Sequence, residues 1–98
     1  MTMKITVRGH QSLRPIIGGS EDIQVSEGIW TLKDLLHHLS SLYGEDFRQA
    51  VFDSQTSRLS SYTKIMVNGR HYNHLPLRLE TELHDGDQVS LFPGGVGG

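Results

Sequence analysis

The chain contains no cysteine. Disulfides, thiolate metal sites and a cysteine nucleophile are therefore excluded. No apolar run approaches the roughly 20 residues of a membrane-spanning helix. Lys and Arg number 9 against 11 Asp and Glu, for a formal charge of −2. That balance lacks the basic excess of a nucleic-acid footprint or a polybasic membrane anchor, so neither nucleic acid nor a membrane is expected as a partner. Several short motifs are also incomplete. No Gly-Lys-Ser/Thr follows Gly18-Gly19, so that pair is not a phosphate loop. Asp85-Gly86-Asp87 lacks the rest of an EF-hand loop and reads as a turn. The 6 histidines include no His-Glu-x-x-His pattern. His37 and His38 are adjacent on a helix pattern and point about 100° apart. His71 and His74 flank a turn and could converge, but solvated or locally bonded histidines are the better reading, and no metal is expected. His, Ser and Asp residues are present without any spacing that would place a catalytic triad. Met1-Thr2-Met3-Lys4 leads directly into a strand pattern, so no signal peptide is expected and the expected location is the cytoplasm.

What remains is one small domain of 98 residues, 36% hydrophobic, enough for a single core two layers thick. Lys4-Ile5-Thr6-Val7-Arg8 alternates polar and apolar side chains, as a half-buried strand does. Gly9 to Gly19 reads as a connection that buries Leu13, Ile16 and Ile17. Glu21 to Val25 is a second alternating run, which suggests an antiparallel hairpin. Thr31 stands as a helix N-cap with Asp34 three residues on. Leu32, Leu35, Leu36, Leu39 and Leu42 follow at helical spacing, and Gly44 ends the helix. Phe47, Val51 and Phe52 can anchor a short second helix, whereas Ser54 to Ser61 is polar and reads as a mobile connection. Lys64 to Tyr72 reads strand, Asn68-Gly69 turn, strand. Pro76 breaks the chain, with Leu77, Leu79 and Leu83 expected to supply core residues on an irregular stretch. Gln88 to Phe92 is the last strand. This order predicts an α+β architecture: a mixed sheet of about five strands on one main helix, with the first and last strands side by side in its middle.

Residues 1–92 form the expected domain and 93–98 a flexible tail, Pro93-Gly94-Gly95-Val96-Gly97-Gly98. Pro93 cannot donate to a sheet ladder and separates the tail from the last strand. A frayed terminus or a shortened linker would have the same composition. The functional alternative uses the small size of glycine. A backbone without Cβ atoms can thread a narrow channel and present its α-carboxylate, ionised at neutral pH, to a partner's active site. That carboxylate can attack the α-phosphorus of ATP to give an acyl-adenylate. Extended fully, the tail would reach about 20 Å.

Leu13-Arg14 before the first Gly pair, the Leu-rich helix, Val67-Asn68-Gly69, Asp85-Gly86-Asp87 and the Phe92-Pro93 to Gly97-Gly98 end occur together in order over essentially the whole chain. In this the sequence resembles the ubiquitin-like sulfur carriers, first those of the molybdopterin synthase small-subunit type and next those of the thiamine pathway. The resemblance implies a β-grasp fold and a carrier that is not itself an enzyme. It implies that Gly98, supported by Gly97, is adenylated by an ATP-using enzyme of the ubiquitin-activating type and converted to a thiocarboxylate. Sulfur would then pass to an acceptor enzyme such as the large subunit of molybdopterin synthase. No bound cofactor is implied; ATP belongs to the activating partner. Gly94 and Val96 depart from the usual tail, which more often has a second Pro and an Ala or Ser before Gly-Gly. Val96-Gly97-Gly98 leans toward the thiamine type, while the stretch from Glu45 to Ser61 favours the molybdopterin type. A ubiquitin-like modifier joined through Gly98 to lysines shares all these features. A β-grasp interaction domain with an inert tail is the third possibility.

Side-chain parity adds an expectation of its own. If Val89 and Leu91 face the helix, Phe92 points away from it. The same parity puts Ile65 and Val67 inside and Lys64 and Met66 outside. Phe92, with Met66 nearby and Pro93 to Val96 beyond it, is expected to form a docking patch for the partner. A single exposed apolar residue with no function is the alternative.

Overall fold

A computed structural model describes residues 2–26, 28, 30–53, 58–60 and 63–93. The first strand, β1 (Thr2–Gly9), buries Met3, Ile5, Val7 and Gly9 and turns Lys4 and Arg8 outward, as its alternation predicts. A 3₁₀ turn (Gln11–Leu13) and a single helical turn, α1 (Arg14–Ile17), fill the connection and bury Leu13 and Ile17. The chain then returns as β2 (Glu21–Ser26), antiparallel to β1, with Ile5 opposite Ile23 and Met3 opposite Val25.

The main helix, α2 (Leu32–Tyr43), follows a short strand, β3 (Trp30–Thr31). Its capping box is complete. The Asp34 amide donates to the Thr31 hydroxyl at 3.2 Å, and the Thr31 amide donates to the Asp34 carboxylate at 3.0 Å. Asp34 titrates below its ordinary value of 3.8, first because the Thr31 backbone amide, and then its side chain, bonds the charged form. Leu32, Leu35, Leu36 and Leu39 are buried against the sheet, but Leu42 is 53% exposed, which corrects the expected five-residue stripe. At 100° per residue Leu42 lies some 70° off the centre of the other four, beyond the edge of the buried face. The second helix, α3 (Glu45–Val51), takes over that role with Phe47 and Val51, both fully buried.

Residues 54–57 and 61, in the stretch read as a mobile connection, lie outside the described residues. The part of it that is described folds back on α3. Leu59 bridges to Phe52, the Ser60 amide donates to the Val51 carbonyl at 2.9 Å, and the buried Thr63 hydroxyl donates to the same carbonyl at 3.0 Å.

Two strands, β4 (Lys64–Val67) and β5 (Arg70–His71), make the expected hairpin. Asn68 and Gly69 both have positive φ, 52° and 84°, as a two-residue turn of matching twist requires. Beyond it Tyr72–His74 and Arg78–Glu80 are 3₁₀ turns. Leu83 on β6 (Glu82–Leu83), which pairs with β3, is buried, and Leu79 packs against the core. Leu77, expected in the core, is 62% exposed because it lies on the bend between the two 3₁₀ turns. The Asp85-Gly86-Asp87 turn is tied to the neighbouring elements: Lys4 donates its amide to Asp85 at 2.7 Å, and Asp87 accepts from His84 and Asn68.

The last strand, β7 (Gln88–Phe92), completes a five-stranded mixed sheet ordered β2-β1-β7-β4-β5. It runs parallel to β1 and antiparallel to β4, so the first and last strands occupy the centre. Among the described residues the helices cover one face and leave the other open. This is the ubiquitin-like β-grasp arrangement.

Candidate functional site

The open face converges on the end of β7, where the chain leaves the sheet. Val89 and Leu91 are fully buried toward α2, so Phe92 turns outward and is half-buried. Its neighbours follow from register. Across β4, Phe92 stands opposite Lys64, whose ammonium lies 5.8 Å from the ring centroid. On the other side, β1 pairs Gly9 with Leu91, which brings the next residue, His10, level with Phe92. The two rings stack with centroids 4.1 Å apart at 10°. The His10 amide also donates to the Leu91 carbonyl at 3.0 Å. Phe92 is thus held between an imidazole and an ammonium.

Gly9 makes this approach possible. A Cβ at Gly9 would lie 2.7 Å from the Leu13 carbonyl oxygen and 3.2 Å from that of Gly18, both backbone atoms with little room to give. Only a residue without a side chain lets the 3₁₀ turn pack against the end of β1 and fix His10 beside Phe92.

Met66 is on the same face and half-buried, directly across from Ser90 and His71 rather than from Phe92. It is therefore a diagonal neighbour of the ring, one step further from the tail. Pro93 is buried. Gly94, Gly95, Val96, Gly97 and Gly98 lie outside the described residues. Sequence reasoning placed Phe92 and Met66 on the face but did not find His10 or the contact of Lys64 with the ring. Their signal was present only in the long-range pairing of β7 with β1, which brings up His10, and with β4, which brings up Lys64.

The remaining candidates are dispersed. His38 meets Trp30 edge-on at 5.4 Å, and His71 accepts from the Asn73 amide while its ring lies 5.8 Å from that of His74. Among the described residues no three His, Asp or Glu side chains are arranged to hold a metal ion. A cavity of about 500 Å³, lined among others by His37, Ser40, Arg48 and Phe52, belongs to the helical layer rather than to the open face. Within it Arg48 is already bonded to Glu45 and to the Ser40 carbonyl. No helix among the described residues is long and apolar enough to cross a membrane.

The sequence from residue 10 to residue 98 matches the model of the ThiS family. The chain belongs to the ThiS family. A ThiS-family chain with this open face has relatives of compatible description. One is a protein of Archaeoglobus fulgidus assigned as a sulfur carrier, 32% identical over 77 residues, covering 79% of this chain and 84% of the relative. Among solved structures, the fold resembles small archaeal modifier protein 1 of Methanosarcina acetivorans, with a TM-score of 0.79, 24% identity and coverage of 100% and 99% of the two chains. It also resembles a Pyrococcus furiosus protein assigned as molybdopterin converting factor subunit 1, with a TM-score of 0.69, 29% identity and coverage of 93% and 97%. Sulfur carriers and ubiquitin-like proteins are the company this ThiS-family chain keeps.

Proposed function

We propose that this protein carries sulfur on its C-terminal glycine for cofactor biosynthesis, with molybdopterin as the first candidate product. Membership in the ThiS family is the observation that carries the reading, and the likeness to the Pyrococcus furiosus protein favours the molybdopterin branch. The proposal places the reacting carboxylate on Gly98, where Gly97-Gly98 would present it without any Cβ atom. The chemistry runs in balanced steps. A carboxylate oxygen of Gly98 attacks the α-phosphorus of ATP in an activating enzyme and releases pyrophosphate. The terminal sulfur of a persulfide attacks the acyl-adenylate carbonyl and AMP leaves. A second thiol then cleaves the resulting acyl disulfide, forming a disulfide with the former persulfide carrier and freeing the thiocarboxylate. The thiocarboxylate sulfur attacks an electrophilic carbon of the acceptor's substrate and displaces a leaving group; water then hydrolyses the resulting thioester, which leaves the sulfur on the substrate and returns Gly98 as a carboxylate.

In this scheme the protein performs little chemistry itself. It offers the tail and a surface by which partners recognise it. The face around Phe92 and Met66 is that surface, since a ring clamped at the root of the tail gives a partner a rigid apolar anchor. Removing Gly97 and Gly98 should abolish ATP–pyrophosphate exchange by the activating enzyme while leaving the fold unchanged. Exchange that persists with the shortened chain would rule out the proposal.

A further inference from the structure

A second feature adjoins the tail root, on the other side of His10. A cavity of about 300 Å³ is lined by Arg8, His10, Gln11, Arg14 and Gly19, among others. Both arginines are exposed, and among the described residues neither guanidinium has an ion-pair or hydrogen-bond partner. That is unexpected in a chain with more acids than bases. Glu21, on the return from the same loop, packs against Gly18 and pairs with neither of them. Gly19 has no side chain, and the Arg14 guanidinium lies across it, with Nε 3.5 Å from where a Cβ would stand. His10 has a buried Nε2 without a hydrogen-bond partner. Such an orphaned group is costly unless something satisfies it. Gln11 has a φ of 55°, a left-handed conformation that a non-glycine residue adopts at some cost. Two unpaired cations and a strained backbone therefore border one small cavity, which His10, with its orphaned ring nitrogen, also lines.

We propose that this cavity is an oxyanion site, taking a phosphate or carboxylate group. A guanidinium offers a planar fork of donors that matches two oxygens of such a group. The volume is at the low end for ligand pockets, which suits the charged end of a ligand rather than a whole nucleotide. Because His10 both lines the cavity and stacks on Phe92, an anion there is coupled to the ring at the tail root. The oxyanion can come from a small phosphate compound or from an acidic side chain of a docking protein. The chemistry is the same.

The test uses the full chain alone, so it is independent of the sulfur-carrier reading. The ¹⁵N-labelled protein, in a buffer free of phosphate and carboxylate, is titrated by NMR with inorganic phosphate and separately with acetate, against sodium chloride at matched ionic strength. Saturable shifts are expected at His10, Gly19 and the Arg8 and Arg14 side chains. Arg14→Gln is expected to weaken phosphate binding by about tenfold, the loss of a charge-assisted bond. Lys33→Gln, an exposed cation on α2, should leave it unchanged. If Arg14→Gln does not fold, Arg8→Gln serves the same purpose. Phosphate binding much tighter than acetate binding supports the site with a phosphate ligand, and comparable binding supports it with a protein carboxylate. Shifts that sodium chloride reproduces, or an affinity that the arginine substitutions leave intact, would overturn it.

Discussion

Phe92→Ala separates docking from stability. In the free protein the substitution removes the stack on His10, 4.1 Å between centroids, and the contact with Lys64 at 5.8 Å. An aromatic pair contributes about 0.5–1.5 kcal/mol beyond its area. An exposed cation–π contact contributes about 0.5–1 kcal/mol. These two contacts sum to about 1–2.5 kcal/mol, and the apolar area of the half-buried ring adds roughly 1 kcal/mol, for an expected loss of about 2–3.5 kcal/mol. A domain of this size has roughly 5–15 kcal/mol, so even the low end leaves about 1.5 kcal/mol and a folded fraction above about 90%. Partial unfolding then changes an apparent affinity by no more than about 10%. A central aromatic anchor, by contrast, costs at least about 2 kcal/mol of binding when truncated, or roughly thirtyfold in Kd. Calorimetric titration against the activating enzyme, with urea unfolding of the same samples, measures both. Leu42→Gln provides the control, since Leu42 is as apolar but lies on the helical layer. An unchanged Kd for Phe92→Ala, or an equal loss for Leu42→Gln, would refute the assignment of this face as the docking surface.

Other substitutions test the scaffold. Gly9→Ala forces a Cβ to within 2.7 Å of the Leu13 carbonyl and should destabilise the fold by about 1–3 kcal/mol, with NMR shifts concentrated at His10 and Phe92. Leu39→Ala should cost about 2–5 kcal/mol in urea unfolding, whereas Leu42→Ala should stay within about 0.5 kcal/mol. The Asp34 cap predicts a specific acid response. Its folded-state pKa lies below the unfolded value of 3.8, so its contribution is fully present above 3.8 and is lost as pH falls through the folded value. Asp34→Asn should therefore lower the urea midpoint at pH 7 and approach the parent at pH about 2, with Thr31→Ala costing about 1 kcal/mol at pH 7.

Local features of the fold were legible because each has a short-range cause. The Thr31 and Asp34 spacing specified the cap, Asn68-Gly69 specified the hairpin, and the alternation of Gln88 to Phe92 specified which way Phe92 points. The surroundings of Phe92 were not legible. Parity says that a side chain faces outward but not which strand lies beside it or in what register. His10 meets Phe92 only because β1 and β7 pair in parallel with Gly9 opposite Leu91. The exposure of Leu42 and Leu77 was hidden for a related reason. Hydrophobic type and spacing set which residues could be buried, while the positions of α3 and of the two 3₁₀ turns decide which of them are.

Intact mass spectrometry after incubation with the activating enzyme, ATP and a persulfide donor goes to the centre of the account. The expected product is a chain heavier by the replacement of one oxygen by sulfur, with the added mass confined to the fragment that ends in Gly98. A chain of unaltered mass under conditions in which the enzyme charges an authentic carrier would contradict it.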